Sequence, residues 1–171
     1  MAVLIQAFGI IGIIFNIFTF QCKKHKPLLL LKTGNELFFA FQYLLLGAYT
    51  GMAMNLVGCV RNVIFTGMVE RGKKTGVMQV VFSVLFLIFT ALTWEGFHSL
   101  LSGSAKVLST IAYGNKNTAF VRCIILFTSC CWLCYNYVIG SYAGCICELS
   151  TIVSIIIGII RIDLPARRQA E

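Results

Sequence analysis

Leaving aside His98 and Arg122 near the ends of their segments, five ionisable side chains fall inside stretches of this sequence that otherwise read as lipid-soluble: Lys32, Glu36, Arg61, Lys106 and Glu148. In hydrocarbon a charged group persists only with a partner or beside a water-filled path. Each therefore marks an ion pair or a place where a polar solute or a proton is handled. Lys32 and Glu36 stand four residues apart and can pair along one helix face. Arg61 can reach either the headgroups or Glu36. Lys106 and Glu148 belong to separate segments; across a cavity they either neutralise one another or bind a polar solute or proton. Glu148 is the candidate protonation group, with Lys32, Glu36 and Arg61 as candidate charge or proton partners.

Polar side chains accompany these charges at helical spacing. Asn55, Cys59 and Asn62 make one stripe; Thr128, Trp132 and Asn136 a second; Lys106, Ser109, Thr110 and Tyr113 a third; Glu148 and Thr151 a fourth. Trp132 can stack on a planar or sugar-like solute while the Asn136 amide fixes orientation. The candidate solute contacts are thus Asn55, Lys106, Trp132, Asn136 and Glu148; for any one of them the alternative is an interhelical hydrogen bond. Glu148 suits a positive or donor-rich solute, whereas Lys106 and Arg61 suit an anion, so the sign stays open. The eight cysteines include Cys131 and Cys134 at C-x-x-C spacing and the nearby Cys145 and Cys147, but no His joins them. They read as small hydrophobes, with no metal or cofactor expected. No paired-carboxylate or Ser/His constellation points to an enzyme.

The elements that position these groups follow from composition. Hydrophobic residues make up 58% of the chain and charged residues 12%, and mean hydropathy is +0.87. These values exclude a soluble domain and predict an all-α membrane protein. Apolar runs predict seven spans near 2–20, 28–47, 52–68, 76–94, 98–113, 119–139 and 142–160. Met1 to Phe20 lacks the basic n-region of a cleavable signal, so the first run is expected to remain a span. Lys23, Lys24, Lys26, Arg71, Lys73, Lys74, Lys116 and the tail arginines Arg161, Arg167 and Arg168 fall on one side. The turns around Ala48–Thr50, Glu95–Phe97 and Gly140–Ser141 carry no Lys or Arg. The positive-inside rule then puts the N-terminus outside and the 162–171 tail in the cytoplasm. The net charge of +8 reads as a topology determinant beside anionic headgroups, not as a nucleic-acid surface. Trp94, Phe97 and Tyr113 read as interfacial aromatics.

Shifted by 93 positions, the sequence overlays itself. Gly47, Tyr49 and Gly51, read as a tight outer turn, fall on Gly140, Tyr142 and Gly144; Leu56, Val60 and Ile64 fall on Leu149, Val153 and Ile157; Asn55 falls on Glu148. With an odd number of spans, 1–68 and 98–161 form parallel triple-helix repeats joined by a linker helix, 76–94, in one transmembrane domain. That three-plus-one-plus-three layout resembles the SWEET and PQ-loop class of small transporters. At residue level, Ser129-Cys130-Cys131-Trp132 followed by Asn136, Gly140, Gly144 and Glu148, with Ile159-Ile160-Arg161, resembles the YgjV family of bacterial inner-membrane proteins. So does Leu45-Leu46-Gly47-Ala48-Tyr49 leading to Asn55 and Arg61-Asn62. The resemblance implies an inner-membrane location and supplies no substrate. The only prolines, Pro27 and Pro165, lie outside the spans, which departs from the proline-hinged SWEET pattern. The expected function is a facilitator or proton-coupled carrier of a small polar solute in the bilayer, alone or as a homo-oligomer. The alternative is a non-transporting receptor or assembly subunit with a one-sided site.

Overall fold

Helix satisfies every backbone hydrogen bond within its own segment, which lipid demands, and the chain uses it throughout. The computed structural model describes residues 2–47, 49–94, 96–138 and 142–168. Among them are seven long helices and no strand: α1 (Ala2–Thr19), α2 (His25–Leu46), α3 (Tyr49–Glu70), α4 (Gly76–Leu92), α5 (His98–Tyr113), α6 (Thr118–Val138) and α7 (Tyr142–Gly158). A π-helical turn, Ile159–Asp163, carries α7 into a short last helix, α8 (Leu164–Arg168). Pro27 is accommodated in the first turn of α2, where backbone N–H groups have no helical acceptor to lose. Gly47 ends α2 at a φ of 74°, a left-handed cap whose N–H donates to the Leu44 carbonyl. Gly51 belongs to α3 and not to the turn; it is required there because a Cβ would stand 2.9 Å from the Tyr43 ring. Ala48, Glu95, Gly140 and Ser141, read from the sequence as outer turns, lie outside the described residues.

Three helical stretches, Gly51–Glu70, Thr118–Val138 and Gly144–Ala166, are long and apolar enough to cross a membrane, and Ala7–Thr19 and Gly76–Leu92 are shorter apolar helices. α2 and α5 are less apolar because their polar side chains face protein. On α5, Ser99, Ser102, Lys106, Ser109 and Thr110 are all buried. The helices form a ring in chain order, each packed on the next, with α7 closing on α1 and α3 also touching α5. α4 turns Phe82, Phe86 and Thr90 inward and leaves Val77, Val80, Val84, Leu87 and Ile88 outside.

The result is apolar on the outside and polar within. Ile10, Phe18, Val60, Phe127 and Val153 are exposed, whereas Asn16, Asn35, Glu36, Arg61, Asn62 and Arg122 are buried. That distribution suits a lipid solvent and would be unstable in water. At the basic end of the ring the interior becomes an apolar plug of Phe20, Leu28, Leu29, Phe65, Phe82, Val121 and Ile155. Below it Arg122, fully buried, ties three elements together: its Nε donates to the Phe20 carbonyl at 3.0 Å, its Nη2 to the Cys22 carbonyl at 2.6 Å, and its Nη1 pairs with Asp163 at 2.6 Å. The His25 ring Nε2 lies 2.8 Å from the Tyr113 carbonyl, joining α2 to α5. With the carbonyl accepting, Nε2 carries the proton and the imidazole is neutral; burial pushes its pKa below the ordinary 6.5.

Candidate functional site

Above the plug the helices enclose a central cavity. α2 contributes Lys32, Asn35, Glu36, Phe39 and Tyr43, one face at helical spacing; α6 contributes Ile125, Thr128, Ser129, Trp132 and Asn136. α3 adds Gly51 and Asn55, α7 adds Gly144, Cys147 and Glu148, and α5 adds Lys106, Ser109 and Tyr113. Each α2 wall position, moved on by 93 residues, gives an α6 wall position, and Gly51 and Asn55 likewise give Gly144 and Glu148. Counted as room for the centres of water molecules, the space is about 70 Å³. That holds a few waters or one small solute.

Glu36 is the electrostatic hub of the wall. Its Oε1 accepts from Arg61 Nη2 at 3.2 Å and from Lys106 Nζ at 3.3 Å, and its Oε2 accepts from Asn62 Nδ2 at 3.1 Å. Arg61 stands behind the wall. It donates further to the Asn62 amide oxygen and to the Ser109 and Thr110 hydroxyls, and its guanidinium lies 4.9 Å from the Tyr113 ring centre. Lys106 also donates to Asn55 Oδ1 at 3.1 Å and sits 5.7 Å from the Trp132 ring centre. A charge this deep is held by several polarised donors at once. Gly58 is what lets α3 approach: a Cβ there would collide with the Glu36 carboxylate.

All five candidate solute contacts, Asn55, Lys106, Trp132, Asn136 and Glu148, stand on the cavity wall together with Lys32 and Glu36. Several pairings differ from those expected. Lys32 does not bridge to Glu36, whose oxygens are taken by Arg61, Lys106 and Asn62; it donates to Asn35 Oδ1 in its own helix at 2.8 Å and to Asn16 Oδ1 on α1 at 3.3 Å. Lys106 pairs with Glu36 and not with Glu148, which takes a hydrogen bond from Ser129. Arg61, fully buried, reaches Glu36 and not the headgroups. Tyr113 is no interfacial aromatic: it is buried in the cavity floor. Cys59 leaves its stripe, its Sγ lying 3.5 Å from the Thr33 carbonyl against α2. Thr151 meets Asn16 across the α1–α7 seam. Gly144 is a close-contact position, where a Cβ would strike the Asn136 side chain.

Sequence reasoning missed Asn16, Asn35, Phe39, Tyr43 and Ser129. The signal existed: moving Thr128, Trp132 and Asn136 back by 93 residues gives Asn35, Phe39 and Tyr43. Among the described residues two wall atoms are buried without a hydrogen-bond partner, Tyr113 Oη and Asn136 Oδ1. Among the described residues no group of three His, Cys, Asp or Glu side chains could hold a metal ion.

A polar, charged cavity inside a sheath of lipid-facing apolar side chains defines a multi-pass membrane protein. Residues 3–165 match the profile of Imp-YgjV, described as "Bacterial inner membrane protein", and the chain belongs to this family of the bacterial inner membrane. It is similar to Inner membrane protein YgjV of Escherichia coli (strain K12), 25% identical over 162 residues that cover 92% of this chain and 84% of the relative. No solved structure matches.

Proposed function

We propose that the protein is a transporter or facilitator of a small polar solute across the inner membrane. Seven spans, arranged as two parallel triplets joined by α4 in the SWEET-like manner, expose a midplane site alternately to the two sides, with the N-terminus outside and the tail in the cytoplasm. The observation that carries this reading is the self-relation of the cavity wall. Positions 93 residues apart enclose one space, which is what two rocking halves around a shared site require. The apolar plug and Tyr113 act as the closed gate at the basic end. Asn55, Trp132 and Asn136 hold the solute, Glu148 takes a proton or a donor-rich group, and Glu36, Lys32, Lys106 and Arg61 set the local charge.

The test uses Ser129, a wall residue of α6, since Cys59 faces α2. In a chain freed of its eight cysteines and carrying Ser129→Cys, an impermeant maleimide is applied to right-side-out and to inside-out vesicles. Labelling from both sides, in proportions that shift with pH or added solute, is the expected result. Labelling from one side alone in a folded protein overturns alternating access and leaves the receptor or assembly-subunit reading.

A further inference from the structure

The charges around the cavity do not balance. Lys32, Arg61 and Lys106 are cations, against the carboxylates Glu36 and Glu148. Both Glu36 oxygens are occupied, one by Arg61 and Lys106 together and the other by Asn62. Lys32 has only neutral acceptors within bonding range among the described residues, the amide oxygens of Asn16 and Asn35, and its ammonium carries a third N–H. Glu148 has no cation within 4.0 Å among them. One positive charge is left over in a lipid-sheathed interior, where an uncompensated ion is costly.

A second observation is independent of that sum. The Tyr113 hydroxyl is buried, lines the same cavity as Lys32 and has no hydrogen-bond partner among the described residues. A buried phenol O–H left unpaired forfeits a hydrogen bond that a ligand oxygen can restore. Lys32 on α2 and Tyr113 on α5 therefore converge as a two-donor seat, with the Trp132 ring and the small side chains of Ser109 and Ser129 bordering the remaining space. Two donors from different helices suit a pair of oxygens better than a spherical halide, and the adjoining volume admits only a few further atoms.

We infer that the cavity binds a small organic monocarboxylate, its oxygens on Lys32 Nζ and Tyr113 Oη. This deepens the carrier reading and rests on it for the anion's movement, while binding is measurable without flux. The chain has two tryptophans, and Trp94 is exposed away from the cavity. In the full-length Trp94→Phe protein in detergent, Trp132 is then the sole fluorescent reporter on the wall. It is titrated with sodium lactate, and in parallel with sodium chloride and ethylammonium chloride at matched ionic strength.

The expected result is a saturable change with lactate that exceeds the chloride response. Tyr113→Phe, which removes a hydroxyl with no partner among the described residues, should weaken lactate about tenfold at wild-type thermal stability, and Lys32→Met by tenfold or more, on the scale of a lost charge-assisted hydrogen bond. A lactate response no larger than that of chloride, a response to ethylammonium alone, or unchanged lactate affinity in Tyr113→Phe overturns the assignment. If Lys32→Met fails to fold, Tyr113→Phe still decides. Lactate binding without flux in proteoliposomes removes the carrier reading and leaves the seat intact; flux of a cationic solute without lactate binding does the reverse.

Discussion

Glu36→Gln is the most exacting perturbation of this interior, because one carboxylate serves two buried cations. Arg61 is fully buried and Lys106 and Glu36 are each 4% exposed, so solvent screens little of the interaction. The substitution keeps volume and an acceptor oxygen for Asn62 or Arg61 but raises the surplus around the cavity from one positive charge to two. Breaking a buried pair by removing one partner costs about 3–5 kcal/mol, and the loss here should fall in that range. Lys106→Met should cost far less, about 1–2 kcal/mol, because it deletes two hydrogen bonds while cancelling the surplus charge. The double variant, Glu36→Gln with Lys106→Met, should then be more stable than Glu36→Gln alone, a sign inversion that additive surface effects do not produce. Reversible unfolding in mixed micelles, followed by far-ultraviolet circular dichroism against denaturing-detergent fraction, measures all three. A Glu36→Gln protein within about 1 kcal/mol of wild type, or a double variant less stable than Glu36→Gln, refutes the reasoning.

Glycine substitutions should separate contact from conformation. Gly58→Ala drives a methyl into the Glu36 carboxylate and should destabilise by about 1–3 kcal/mol, whereas Gly67→Ala, with nothing within 4 Å, should be neutral or gain up to about 1 kcal/mol; thermal melts of both compare them directly. Arg122→Met strands Asp163 and two carbonyls and should cost about 3 kcal/mol, with faster amide exchange across 159–163 as the local signature. For His25 the folded pKa lies below the unfolded one, so its contribution is fully present above the unfolded value of 6.5 and is lost as pH falls through 6.5 towards the folded value. Melting between pH 7.5 and 5.5 should therefore drop more in wild type than in His25→Gln, after allowance for the charged neighbours Glu70 and Lys116.

The helices and the charged residues of the wall were legible in the sequence because membrane solvation imposes a one-dimensional rule: apolar runs of fixed length, with polar exceptions that face inward. Glu148 and Asn55 stand out by that rule, and so does Lys106. Partners were not legible, since they depend on how each helix is rotated about its own axis. Lys32 and Glu36 are obvious neighbours along α2, yet Glu36 turns to α3 and α5 while Lys32 takes Asn35 in its own helix and Asn16 on α1. Tyr113 misled for a related reason. An aromatic at a helix end signals the interface only if its side chain points outward, and that of Tyr113 points inward, packed with the plug residues at the cavity floor. α2 and α5 show why hydropathy falls where a helix is enclosed: their buried faces carry polar side chains that pack on protein.

The relation between the wall positions has an evolutionary reading. Two separate, identical half-length chains would meet isologously, so every charge on one half would recur at the symmetry-related place on the other. Glu148 would oppose a second glutamate where Asn55 now stands, and Lys32 a second lysine where Ile125 now stands. Joined through α4, the halves can mutate independently. None of the five charges at this site has a charged counterpart 93 residues away: Ile125, Ser129, Ser154, Ile13 and Asn55 answer Lys32, Glu36, Arg61, Lys106 and Glu148. On the proposed two-triplet reading, fusion would turn a symmetric chamber into one with a direction, in which a solute could be held by unlike ends.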